Sequence, residues 1–149
     1  MSYILALFPN VKQVFIAPSE LQMGEDMQDF LKENSIEYTL SDDINHYIER
    51  SDAFYMMRIQ DEYSETSEQV RQKYTQYYLS LSKVEKMQPH ACIIHPLPRR
   101  LEIPIEIDFN RRAKYWEAVE RGKLIRMALI LYMFGFDDIE KLRNKTYPV

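Results

Sequence analysis

The sequence of 149 residues is poor in glycine: it has three, Gly24, Gly122 and Gly135, each standing alone. No glycine-rich phosphate loop of the G-x-G-x-x-G or Walker type can be built from them. The single cysteine, Cys92, excludes an intramolecular disulfide and any multi-cysteine metal site. The three histidines, His46, His90 and His95, show no H-E-x-x-H or zinc-finger spacing. A basic excess is also missing, since 19 Lys+Arg stand against 23 Asp+Glu for a net charge of −4. That balance argues against a nucleic-acid partner. The longest apolar stretch, Met127 to Phe134, is far below the ~20 residues that span a bilayer. Met1 to Phe8 is apolar but lacks the basic region of a signal peptide. The expectations are a cytoplasmic address, no membrane and no metal.

What is present is a well-stocked globular composition, 46% hydrophobic and 28% charged, enough for one packed domain. Apolar and polar segments alternate. Ser2 to Phe8 suits a short helix ended by Pro9-Asn10, and Val11 to Ala17 a strand. Glu20 to Asn34 has helical spacing behind Ser19 as a candidate N-cap. Ile36 to Leu40 reads as a strand, and Ser41-Asp42-Asp43 caps a helix carrying Ile44, Tyr47 and Ile48. Ala53 to Gln60 is a third strand-like run before an acidic loop. Tyr77 to Leu79 reads as extended, Ser82 to Met87 as a short helix and Ala91 to Ile94 as a buried strand. Pro104 to Asn110 reads as a loop. Arg111 to Phe134 reads as one long helix closed by Gly135. Continuously apolar strands between helices imply βαβ units. The expected fold is a doubly wound, Rossmann-like three-layer α/β sandwich. It has about four parallel strands and a long C-terminal helix. The domain covers residues 1–136, and residues 137–149 form a polar tail.

In such sheets ligands bind beyond the carboxyl ends of the strands. Arg58 interrupts an apolar run at such an end, and its guanidinium suits a carboxylate or phosphate. Gln60 shares its side of an extended chain. Pairing of Arg58 with Asp61 or Glu62 is the plainer alternative. In His95-Pro96-Leu97-Pro98, two prolines remove two backbone donors and leave the carbonyls. Such a rigid acceptor-rich turn suits an amine or a carbamoyl amide, or simply ends a strand stiffly. Arg126 lies within KLIRMALILYMF; it either pairs behind a site or snorkels to solvent. Cys92 suits an inert core position, and Tyr77, Tyr78, Tyr115 and Trp116 ordinary aromatic packing.

Three segments, YMMRIQDE, HPLPRRLEI and AKYWEAVERGKLIRMALI, together resemble the aspartate-binding half of aspartate carbamoyltransferases, within the aspartate/ornithine carbamoyltransferase superfamily. The likeness runs from Ser2 to Gly135, and HPLP favours the aspartate branch. It implies that Arg58 and Gln60 bind L-aspartate. Pro96, Leu97 and Pro98 would meet carbamoyl phosphate through a turn with a cis Leu97-Pro98 bond. His95, Glu62 and Arg126 would support the site, and no residue is assigned a catalytic role of its own. The implied reaction is attack of the aspartate amine on the carbamoyl carbon with release of phosphate, a step of pyrimidine synthesis needing no metal or organic cofactor. Two positions depart from the pattern. Tyr63 stands where the family has a second arginine, and Leu101 where it has an aspartate. The resemblance also implies a preceding carbamoyl-phosphate domain, absent from this sequence. The chain alone is therefore expected to be inactive, with carbamoyl phosphate held only alongside a complementary domain. A homotrimer, or pairing with a separate chain that carries that domain, is the expected assembly. Two alternatives stand beside this reading. One is a non-catalytic module holding a small carboxylate or a partner subunit; the other is a relative with a different amine substrate.

Overall fold

A computed structural model describes residues 1–58 and 74–136. The chain opens with a helical turn, α1 (Ser2–Leu5), which ends before Pro9. It is docked by an edge-to-face contact between Tyr3 and Phe30, with centroids 4.4 Å apart, and by a hydrogen bond from the Ser2 hydroxyl to Gln13 Oε1. Strand β1 (Gln13–Ile16) follows. Helix α2 (Glu25–Glu33) starts from Gly24 rather than from Ser19. Ser19 instead lies in a single 3₁₀ turn, Ser19–Leu21. The physical reason is Gln22, whose side-chain amide donates to the carbonyls of Ala17 and Ser41 and holds the connection extended. Strand β2 (Tyr38–Ser41) leads to Asp43, whose carboxylate accepts from the backbone N–H groups of Asn45 and His46. It thereby caps α3 (Ile44–Ile48), which buries Ile44 and Ile48.

Strand β3 (Ala53–Tyr55) is shorter than the apolar run it belongs to. Thr75–Tyr77 forms a 3₁₀ turn that overlaps the expected extended piece Tyr77–Leu79 at Tyr77, after which Tyr78 is extended, and Ser80 caps α4 (Leu81–Lys86) by accepting from the Lys83 N–H. Strand β4 (Cys92–Ile94) follows. Ile105–Phe109 is a 3₁₀ helix rather than a loop, because Pro104 supplies an extended entry and Ile107 turns into the core. The last helix, α5 (Tyr115–Met133), begins four residues later than its apolar pattern suggests. The reason is a parallel bridge: Ile93 N–H donates to Arg112 O at 2.7 Å and Lys114 N–H to Ile93 O at 2.9 Å, so this stretch runs alongside β4. Gly135, with φ +75°, terminates α5. The polar tail read over residues 137–149 lies outside the described residues.

The strands pair in parallel, as an α/β fold with crossover helices requires. β1 pairs with β2 from Gln13↔Tyr38 to Ile16↔Ser41, and β3 with β4 from Ala53↔Cys92 to Tyr55↔Ile94. The ladders among the described residues thus form two pairs rather than one continuous sheet. The main buried cluster gathers Phe54 and Ile93 from β3 and β4, Ile44 and Ile48 from α3, Val84 from α4, and Ile103, Ile107 and Tyr115. Ile16 of β1 packs against this cluster, which gives the two pairs a common core. Among the described residues, no helix is long and apolar enough to cross a membrane.

Candidate functional site

Parallel pairing brings both strand exits of the β3–β4 pair to one edge. Tyr55 stands opposite Ile94, and the Met56 N–H still donates to Ile94 O at 2.9 Å. The ladder ends there. The β3 exit carries Arg58, half-buried, and the β4 exit carries His95 to Pro98.

That second exit is a tightly specified turn. The Leu97–Pro98 peptide is cis, and Leu97 has φ +53°, a region that L side chains avoid. The Leu97 N–H donates to His95 Nδ1 at 2.9 Å. An Nδ1 that accepts carries no proton, so the neutral ring holds its proton on Nε2. Nε2 lies 2.9 Å from Glu102 Oε1, and both side chains are at most 4% exposed. The Nε2–H is not aligned on that oxygen as a hydrogen bond, so the contact acts through charge. The same Glu102 oxygen accepts from the Arg100 N–H at 2.8 Å, and the Glu102 carbonyl accepts from the Leu79 N–H at 2.9 Å. Burial pushes the His95 pKa below its ordinary value. The Glu102 carboxylate opposes that shift, and the Arg99 charge adds to it. His95 is therefore neutral at pH 7.

Next to the turn, Arg99 Nη1 donates to Ile103 O at 3.1 Å and Nη2 to Asp108 Oδ2 at 2.6 Å. The other Asp108 oxygen accepts from the Tyr115 hydroxyl at 2.5 Å. Burial alone would raise the Asp108 pKa. Hydrogen bonds from Tyr115, Arg99 and Trp116, with the Arg99 charge, outweigh it and hold the carboxyl low. Burial and the same carboxylate push the Tyr115 phenol far up, so it stays a donor. Leu97, Pro98, Arg99 and Trp116 line an open cleft of about 630 Å³. Arg99 is already paired with Asp108, so the cleft is not a strong anion site. The half-exposed indole of Trp116 forms part of its lining.

The structure thus gathers His95, Pro96, Leu97 and Pro98 in one turn and sets Arg58 at the same sheet edge. Gln60, Glu62 and Tyr63 lie outside the described residues. Arg126 is exposed on α5, so it is not the buried cation that its apolar neighbours in sequence suggest. Burial raises the Cys92 thiol pKa, which suits an inert cysteine, although Cys92 is only partly buried and lies outside the core cluster where the sequence placed it. Among the described residues, no group of three His, Cys, Asp or Glu side chains is placed to hold a metal ion. Sequence reasoning missed Glu102, Arg99, Asp108 and Trp116. Arg99 and Glu102 were visible inside HPLPRRLEI, but as charges in a loop rather than as buried partners.

A family model described as aspartate/ornithine carbamoyltransferase, Asp/Orn binding domain, matches residues 2–133. The aspartate carbamoyltransferase catalytic subunit of Alkaliphilus metalliredigens is 36% identical over 132 residues, covering 88% of this chain and 42% of that protein. A chloroplastic aspartate carbamoyltransferase of Oryza sativa subsp. japonica is 31% identical over 131 residues, covering 87% of this chain and 36% of the relative. Among solved structures, the catalytic subunit of M. jannaschii aspartate transcarbamoylase superposes with a TM-score of 0.80 at 29% identity. That match covers 91% of this chain and 44% of the other. The chain therefore spans less than half the length of the relatives it matches.

Proposed function

The chain belongs to the aspartate/ornithine carbamoyltransferase family, whose Asp/Orn-binding domain it matches, and from that premise we propose that it supplies the aspartate-binding half of a carbamoyl-transfer site. The observation that carries the reading is one sheet edge holding both Arg58 and the His95–Pro98 turn. In this reading Arg58, with Gln60 beside it, grips a carboxylate of L-aspartate and aims its amine at the cleft. The carbonyls of Pro96 and Leu97 accept from the N–H groups of the amine and the carbamoyl amide, and Pro98 keeps that stretch free of a competing donor. The amine lone pair forms the new C–N bond. The C–O bond to phosphate breaks, phosphate departs with that electron pair, and the proton lost by the amine passes to the departing phosphate. His95, Glu62 and Arg126 act in support. In this reading the cations for the phosphate come from a complementary carbamoyl-phosphate domain, which completes the site. That domain would be supplied by a separate chain in the cytoplasm, and a trimer of like chains is the assembly the reading favours.

Titration of the chain with L-aspartate and carbamoyl phosphate tests this, alone and mixed with a separately produced carbamoyl-phosphate domain. Carbamoyl-aspartate is expected only in the mixture. No binding and no turnover in any mixture overturns the proposal, and turnover by the chain alone overturns the half-site reading. A second reading, a module whose role is to hold a partner subunit, draws support from the apolar residues exposed along α5.

A further inference from the structure

We propose that His95 and Glu102 form a positioning pair for the Leu97 backbone: the carboxylate keeps the imidazole proton on Nε2, and the bare Nδ1 holds the Leu97 amide, so the acceptor-bearing turn has its shape before any ligand arrives. Its consequence for ligand binding rests on the carbamoyl-transfer reading above; the turn geometry does not.

Two independent contacts select the same neutral tautomer. On one side the Leu97 N–H points at Nδ1 from 2.9 Å, so a proton on Nδ1 would set donor against donor. On the other side Glu102 Oε1 lies 2.9 Å from Nε2, so a bare Nε2 would set a lone pair against a carboxylate. The imidazole thus does what an Asn or Asp side chain does in an Asx turn, accepting from the backbone two residues on. What it holds is a non-glycine residue with φ +53°. Glu102 is itself tied down by the Arg100 N–H on its side chain and the Leu79 N–H on its carbonyl, which links the pair to the segment before α4. The charged groups that act on His95 are Glu102 and Arg99. His95 and Glu102 are each 3% exposed, so the acceptor of the Leu97 N–H is a buried side chain. Neither side chain is asked to touch a substrate; both act through Leu97.

The test uses the ¹⁵N-labelled full chain. Two-bond ¹H–¹⁵N correlations read the His95 tautomer, and hydrogen exchange reads the Leu97 amide, with the Ile93 amide as internal control. The wild type is expected to show the Nε2–H tautomer and a protected Leu97. Glu102→Gln removes the charge beside Nε2 while keeping the acceptor for the Arg100 N–H, so it is expected to raise the Nδ1–H fraction and to speed Leu97 exchange; an unchanged tautomer and unchanged exchange in this variant overturn the part given to Glu102. His95→Asn is expected to keep Leu97 protected, its side-chain oxygen standing in for Nδ1. His95→Leu should speed Leu97 exchange about tenfold with Ile93 unchanged. An Nδ1–H tautomer in the wild type overturns the proposal. So does equal Leu97 exchange in the wild type and His95→Leu. Should His95→Leu fail to fold, loss of Leu97 protection in a folded His95→Asn overturns it in the same way. Aspartate is titrated into the same samples. A wild type with the expected tautomer and protection that neither binds aspartate nor forms carbamoyl-aspartate, alone or mixed with a carbamoyl-phosphate domain, overturns the carbamoyl-transfer reading and leaves the positioning pair standing.

Discussion

Removing the Arg58 guanidinium would take away a forked donor placed at a strand exit. Charge-assisted hydrogen bonds of this kind contribute about 1.5–3 kcal/mol, which is roughly ten- to a hundredfold in Kd. Arg58→Ala is expected to weaken L-aspartate binding by that factor in calorimetry, and Arg58→Lys to recover only part of it because the fork is lost. Equal affinity in all three proteins would remove Arg58 from the site. The buried histidine makes a different prediction. The His95 pKa is lowered from 6.5 in the folded chain, chiefly by burial. As pH falls through about 6.5 the unfolded chain takes up this proton before the folded chain does. The contribution of His95 to stability is therefore full above about pH 6.5. It declines as pH falls from there through the lower folded value, and then levels off. Urea midpoints measured from neutral pH downward should show this decline, and His95→Asn should remove that part of it. At this scale the sequence was legible where chemistry follows from residue type. A guanidinium ending an apolar run and two prolines flanking Leu97 announce themselves. Glu102 did not, because an acid in a charged loop looks solvated until the fold folds that loop over His95.

An N-cap is a property of an element, and Asp43 is the clearest one here. Its carboxylate accepts from the N–H groups of Asn45 and His46, at 2.9 and 3.3 Å. The helix it starts is only five residues long, yet it delivers Ile44 and Ile48 to the core. So short a helix has little stability of its own. Asp43→Ala is expected to cost about 1 kcal/mol by chemical unfolding, with Asp43→Asn close to neutral. A change within a few tenths for Asp43→Ala would mean that packing alone holds α3. Both Asp43 and the Gly135 terminus were readable in advance, because caps depend on residues adjacent in the chain. Boundaries set from a distance were not. Gln22 reaches the carbonyls of Ala17 and Ser41 and delays α2, and the pairing of Ile93 with Arg112 and Lys114 delays α5. Each shift comes from a hydrogen bond to a segment that no local pattern contains.

The whole molecule presents an apolar surface at both ends of its matched region. Tyr3, Ile4, Leu7 and Phe8 are exposed at the start. Along α5, Leu124, Ile125, Met127, Leu129, Ile130 and Leu131 are all exposed, ending at Phe134 with 76% of its surface free. At 3.6 residues per turn these positions fall on every side of the helix, a pattern found in helices surrounded by other protein. Such a continuous exposed patch is large for an isolated domain and drives association. Size-exclusion chromatography should therefore show an apparent mass that rises with concentration. The double substitution Leu124→Lys and Leu131→Lys should return the chain to a monomer at all concentrations. Both side chains are outside the core, so the unfolding midpoint should move little. If the patch is also where a carbamoyl-phosphate domain packs, the same variant should keep the aspartate affinity of the chain while losing carbamoyl-aspartate formation in the mixed assay. A variant that self-associates like the wild type would show that α5 is not the adhesive surface. One that is monomeric yet fully active in the mixture would separate self-association from domain pairing and move the pairing surface elsewhere.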